Sequence, residues 1–124
     1  MERIQTDQAP QALGPYSQAI RTGSFIFTSG QVPLTKEGVM VTGGIEEQTH
    51  QVMKNIQAVL AEANVDLSQI VKTTIFLMDM EDFQTVNQIY GEWFKDHRPA
   101  RSCVQVSRLP KDARIEIETI AIVE

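Results

Sequence analysis

The hydrophobic patterning of this chain predicts a sandwich of the α/β or α+β type, with two helices laid on one face of a mixed β-sheet. Three observations carry that reading. Two segments repeat apolar residues every three or four positions, as helices do, and others are β-branched or alternate apolar with polar, as strands do. The segments run in the order ββ(β)αβαββ, and helices placed between strands imply crossovers onto a sheet. The 124 residues suit one domain, 1–124. A chain of that length buries roughly two thirds of its unfolded surface.

Residues 1–16 contain Pro10, Gly14 and Pro15 and are expected to be mostly irregular. Gln18–Arg21 and Phe25–Thr28 flank Thr22-Gly23-Ser24, which reads as a tight hairpin. Residues 29–44 hold Gly30, Pro33, Gly38, Gly43 and Gly44, a loop with at most a short strand at Val39–Val41. Residues 45–63 are the clearest helix. Ile45, Thr49, Val52, Met53, Ile56, Val59, Leu60 and Ala63 form one stripe. Glu46 and Glu47 suit its first turn, and Asn64 can close it in a left-handed conformation.

Ile70–Leu77 is rich in β-branched residues and reads as a strand. A second helix comes next, over about 80–96, with Phe83, Val86, Tyr90, Trp93 and Phe94 inward and Ile89 beside them. Asp79 or Asp82 can cap it, and Pro99 stops it. Two strands end the chain. In 101–107, Arg101, Cys103 and Gln105 oppose Ser102, Val104 and Val106. In 114–123, Ile115, Ile117, Thr119 and Ala121 oppose Glu116, Glu118, Ile120 and Ile122.

Two helices cover only one face of such a sheet, yet the other face still carries Ile120 and Ile122. A solvated face alternates to polar residues, so an apolar one implies a partner, and a homo-oligomer is expected.

Composition narrows the chemistry. The formal charge of −5 gives no basic footprint for nucleic acid. One cysteine forbids an internal disulfide, and zinc-site spacings are absent. His50 and His97 share no motif, so neither reads as a metal ligand. Met1–Gln5 lacks the charged-then-apolar pattern of a signal peptide, and no apolar run is long enough to span a membrane. The expectation is a soluble, reduced, cytoplasmic domain.

Arg101 and Cys103 project from the same strand face. An arginine on a packable face needs an anionic partner. That partner is either Glu116 or Glu118 in a structural ion pair, or a ligand carboxylate, which the guanidinium matches with two parallel bonds. Cys103 is either a small buried hydrophobe or a thiolate, and no histidine is placed to act as its base. A partly buried Glu116 or Glu118 would have a raised pKa suited to proton exchange. If 101–107 and 114–122 form a direct hairpin, one of these glutamates faces Arg101; a strand between them would break that register. Tyr16 and the Ser29-Gly30-Gln31 turn are either structural or line a small polar site.

Five segments carry a resemblance to a known family. Gly14-Pro15-Tyr16-Ser17-Gln18, Thr28-Ser29-Gly30-Gln31-Val32-Pro33, Pro99-Ala100-Arg101-Ser102-Cys103-Val104, Arg108-Leu109-Pro110-Lys111-Asp112 and Ile115-Glu116-Ile117-Glu118 resemble the Rid family. These are the YjgF-type reactive-intermediate deaminases, here the RidA branch. Val71–Thr74 and Val86–Tyr90 fit as well, and the likeness runs from about Ala9 to the C-terminus. Gln105 and Ser107 depart from many relatives, which have Glu and Ala there.

The resemblance implies a chorismate-mutase-like α+β fold assembled as a homotrimer, with the sheets forming a central barrel and the active sites in clefts between subunits. It implies hydrolysis of 2-aminoacrylate-type enamines and imines to 2-keto acids and ammonia, without metal or cofactor. Arg101 would bind the substrate carboxylate and Glu116 would position water. Backbone groups of Cys103 and Gly30 would contact substrate, while Tyr16, Ser29 and Asn87 shape the cleft. The alternatives are a non-catalytic trimer that binds keto acids or amino acids, and a ribonuclease. The negative charge and the lack of paired histidines speak against the ribonuclease.

Overall fold

A computed structural model describes residues 1–124. Two helices lie with a mixed six-stranded sheet, an α+β arrangement. The strands are β1 (Glu2–Ile4), β2 (Ala19–Thr22), β3 (Phe25–Thr28), β4 (Ile70–Leu77), β5 (Ala100–Gln105) and β6 (Ile115–Ile122). The helices are α1 (Ile45–Glu62) and α2 (Phe83–Phe94). The sheet order is β1-β2-β3-β6-β4-β5. Only β4 and β5 run parallel, because α2 carries the chain back between them.

The β2–β3 hairpin turns at Gly23, whose φ of +59° suits a residue without Cβ. Helix α1 matches its apolar stripe, and Asn64 lies just past it at a left-handed φ of +58°. Glu47 reaches back to accept from the Gly44 N–H, satisfying one of the free amides at the helix start. Helix α2 is shorter than its pattern predicts. Met80–Asp82 form a separate 3-10 turn capped by Asp79, whose carboxylate accepts from the Glu81 N–H. Asp82 instead accepts from Arg114. The helix ends at Phe94, where Lys95 takes a positive φ well before Pro99. Phe83 and Trp93 are half-buried rather than buried.

The N-terminal segment is not wholly irregular. Glu2–Ile4 pairs antiparallel with β2, Ile4 enters the core, and the buried Gln18 side chain holds Thr6 and Pro10. Pro10, Gly14 and Pro15 break regular structure only in the stretch between β1 and β2. No strand forms at Val39–Val41; a lone bridge joins Leu34 to Met40.

Ile26, Ile75, Leu77, Ile115 and Ile117 face the helices and meet Val52, Ile56, Val59 and Leu60 of α1, all fully buried. Polar residues in this layer are paired; the Thr28 and Thr119 hydroxyls, for example, lie 3.0 Å apart. The opposite face has no cover within the chain. Phe25, Phe27 and Val104 are more than 40% exposed there, with Phe76, Ile120 and Ile122 beside them. No helix is long and apolar enough to cross a membrane.

Candidate active site

Strand β4 lies between β5 and β6, so the last two strands do not form a hairpin. That placement puts Arg101 and Glu116 on opposite faces of the sheet. Arg101 pairs with Thr73, which is buried beneath α2. Glu116 pairs with Phe76, on the uncovered face. Glu118, opposite Thr74, shares that face. The structural ion pair between Arg101 and either glutamate is therefore absent. The chain's two ion pairs are Arg108–Asp112 and Arg114–Asp82.

Arg101 is held without being neutralised. Its Nη1 donates to Asn87 Oδ1 at 2.7 Å, and its guanidinium carbon lies 5.1 Å from the Tyr90 ring centre and 5.5 Å from that of Phe83. Positions 83, 87 and 90 recur at helical spacing, so one face of α2 presents ring, amide and ring to the guanidinium. The Tyr90 hydroxyl is fixed by Thr73 at 2.7 Å. Burial pushes its pKa up, against the opposing effects of Thr73 and Arg101, so the phenol stays protonated. Asn87, Tyr90, Gly91 and Arg101 border a mainly polar cavity of about 500 Å³. Phe83 and Tyr90 read from sequence only as buried-face residues; their spacing about Asn87 is the signal that marks them.

Cys103 lies two residues along the same face, opposite Ile75 and half-buried. Burial raises its thiol pKa, and the Arg101 charge only partly opposes this. No histidine attends it: His97 Nε2 meets the Ile70 carbonyl at 2.6 Å, and His50 Nδ1 accepts from Trp93 Nε1 at 2.9 Å. Cys103 thus lacks what a thiolate nucleophile requires.

Glu116 occupies a second cavity, of about 460 Å³, with Tyr16, Ser29 and Gly30. A bulge builds it. Phe27 pairs with Ile120 and Gln31 with Ile117, so three residues on one side oppose two on the other. The extra residue brings Gly30 onto the Glu116 side chain. A Cβ at Gly30 would stand 2.2 Å from Glu116 Oε2 and 2.7 Å from its carboxyl carbon, so only glycine fits without moving that carboxyl. Burial first, and the like charge of Glu118 second, raise the Glu116 pKa. Ser29 is committed to the backbone: its hydroxyl donates to the Ser17 carbonyl at 2.5 Å and its N–H to the Gln18 carbonyl at 2.9 Å. The Tyr16 ring is more than half exposed at the cavity.

The predicted residues therefore fall into two groups. Arg101, Asn87 and Cys103 gather beneath α2, whereas Glu116, Gly30, Ser29 and Tyr16 gather at the bulge.

Comparison with known proteins settles the lineage. The family model described as Endoribonuclease L-PSP matches residues 6–123. This chain belongs to that family. It is the YjgF-type Rid family that the five segments resemble. A RutC family protein of Pyrococcus abyssi is 51% identical over 124 residues, covering 99% of this chain and 98% of the relative. A protein of Salmonella typhimurium named 2-iminobutanoate/2-iminopropanoate deaminase is 45% identical, covering 96% of this chain and 95% of the relative. The crystal structure of Escherichia coli TdcF with bound serine superposes with a TM-score of 0.95 at 39% identity, covering all of both chains. Related proteins in the family thus carry deaminase names, and one binds a small amino acid.

Proposed function

We propose that this protein hydrolyses 2-imino acids and their enamine tautomers, such as 2-aminoacrylate, to 2-keto acids and ammonia, as a cytoplasmic homotrimer of single-domain subunits. Two observations support this reading: an unneutralised Arg101 held by Asn87 and the Phe83 and Tyr90 rings, and a half-buried Glu116 under Gly30 on the other face of the sheet. The name of the Salmonella relative and the serine bound to TdcF support the same substrate class.

Those two groups supply the chemistry. Arg101 takes the substrate carboxylate through paired N–H···O bonds, which orients the C=N carbon. Asn87 and the aromatic rings keep the guanidinium from swinging away. The ionised Glu116 carboxylate accepts a proton from water as its oxygen bonds to that carbon. It then returns the proton to the nitrogen, giving a tetrahedral carbinolamine. Glu116 next carries the remaining hydroxyl proton to the amine, and the C–N bond breaks to release ammonia and leave the keto group. The Cys103 and Gly30 backbones contact substrate, while Tyr16 and Ser29 wall the cleft. An imine carbon is already electrophilic, so this route needs neither a covalent nucleophile nor a cofactor.

Arg101 and Glu116 stand on opposite sheet faces, so one site draws them from two subunits. The apolar face around Phe25, Phe27 and Val104 is the surface that three copies bury, turning their sheets toward a central barrel. The family description includes endoribonuclease. The charge of −5, with both histidines engaged away from Glu116, favours the deaminase over that activity.

The test is a coupled assay. A dehydratase generates 2-aminoacrylate, and 2-keto acid release is timed with and without the protein. Acceleration that disappears in Arg101→Ala supports the proposal. Tight keto-acid binding with no acceleration would replace it with a binding protein.

A further inference from the structure

The Glu116 cavity joins two kinds of surface. Ser29, Gly30 and Glu116 are polar, but Leu13, Val32 and Leu34 line the same space, and its accessible wall is mainly apolar. The Arg101 cavity is mainly polar by contrast. Leu13 is 81% exposed, beside the partly exposed Val32 and Leu34. The wall is also braced. Asn55 of α1, itself buried, donates its side-chain amide to the carbonyls of Val32 at 3.1 Å and Leu34 at 2.9 Å, while Gln51 donates to Asn55 Oδ1 at 2.9 Å. A helix side chain commits both of its amide hydrogens to holding two apolar residues at the mouth of a polar site.

We infer that Leu13, Val32 and Leu34 form a subsite for the substrate side chain, and that the preferred imines carry an aliphatic group of three or four carbons. The inference rests on the deaminase reading. With the carboxylate on Arg101 and the C=N carbon against the water on Glu116, the side chain is the substrate's one remaining group. It shares the cavity with Glu116, so it meets this wall. Small imines such as that of alanine leave the wall wet. A leucine-derived imine covers it, and each methylene so buried favours binding about 4-fold. A carboxylate-bearing side chain of similar length gains nothing from leucine and valine, and the opposite charges of Glu116 and Lys111 line the same cavity.

The experiment uses the full-length protein and imines made in situ by an amino-acid oxidase from alanine, norvaline, leucine and glutamate. Rates are taken as kcat/KM. The leucine-derived imine should exceed the alanine-derived one by at least about 10-fold, and the glutamate-derived imine should fall below the leucine-derived one. Leu13→Ser and Leu34→Ser should each lower the leucine-to-alanine ratio several-fold, chiefly through KM. Leu13→Met, which refills the space with apolar atoms, should keep it. Leu13 is exposed, so its variants will fold. A series flat in side chain, or ratios untouched by Leu13→Ser and Leu34→Ser, would overturn the subsite while leaving the deaminase standing. No turnover of any imine would overturn the deaminase reading and the inference with it.

Discussion

The Arg101 guanidinium rests on one amide and two rings, so its position is fixed while its charge stays available to a ligand. Replacing it with alanine should lower kcat/KM about 100-fold, the scale of a charge-assisted bidentate pair plus lost orientation. Lysine should recover little, because it keeps the charge but loses the fork. The Tyr90 hydroxyl plays a different part. Tyr90→Phe keeps the ring beneath Arg101 but strands the buried Thr73 hydroxyl. Thermal unfolding should show a loss of about 1–2 kcal/mol, with kcat little changed. At Glu116 the raised pKa gives a signed expectation. A carboxyl whose folded pKa is raised costs stability when ionised, and the cost grows as pH climbs from the unfolded value through the folded one. Glu116→Gln should therefore raise Tm at pH 7, and the gain should shrink toward pH 4. The same change should remove most activity, and the wild-type rate should fall on the acid side at a pH above the ordinary carboxyl range. Arg101 and Glu116 were legible in the sequence as a cation and an acid at odds with apolar strands. Their partners were not, because nothing local in a strand names the helix residue that will lie over it.

At the scale of elements, the bulge after β3 decides where Glu116 sits. Gly30 is close-packed against that carboxyl, whereas Gly23 is needed only for its turn. Gly30→Ala should push the Glu116 carboxyl aside and lower kcat at least 10-fold, while Tm falls only modestly, because the atoms that must move end a flexible side chain. Circular dichroism beside the coupled assay separates the two effects. The long periodic elements, α1 and β4, could be read from spacing because each buries a continuous stripe. Three-residue β1 could not, since so short a run has no period and is held by Ile4 and by Gln18, fourteen positions further along. Sequence left open whether the last two strands form a direct hairpin, and topology decides against it. Register between β5 and β6 depends on β4, which inserts between them, and a slip of one residue sends a side chain to the other face.

The whole molecule presents an apolar sheet face that its own two helices leave bare. The sequence showed this imbalance through Ile120 and Ile122, and Phe25, Phe27 and Val104 extend it. If the proposed assembly buries this face and each subunit holds half a site, Phe27→Lys should dissociate it, seen as a smaller species by light scattering, and should abolish activity in step. Sequence could not show which half, since that depends on which sheet face each residue takes. The central claim is that Arg101 of one subunit serves Glu116 of another. Two inactive variants, Arg101→Ala and Glu116→Gln, mixed in equal amounts and allowed to exchange subunits, test it most directly. If the site spans a subunit boundary, random assembly regenerates intact pairs at about one boundary in four, and about a quarter of wild-type activity returns. If exchange is complete, as shown by mass spectrometry of the mixed oligomers, and no activity returns, then both residues act within one subunit and the shared site is contradicted.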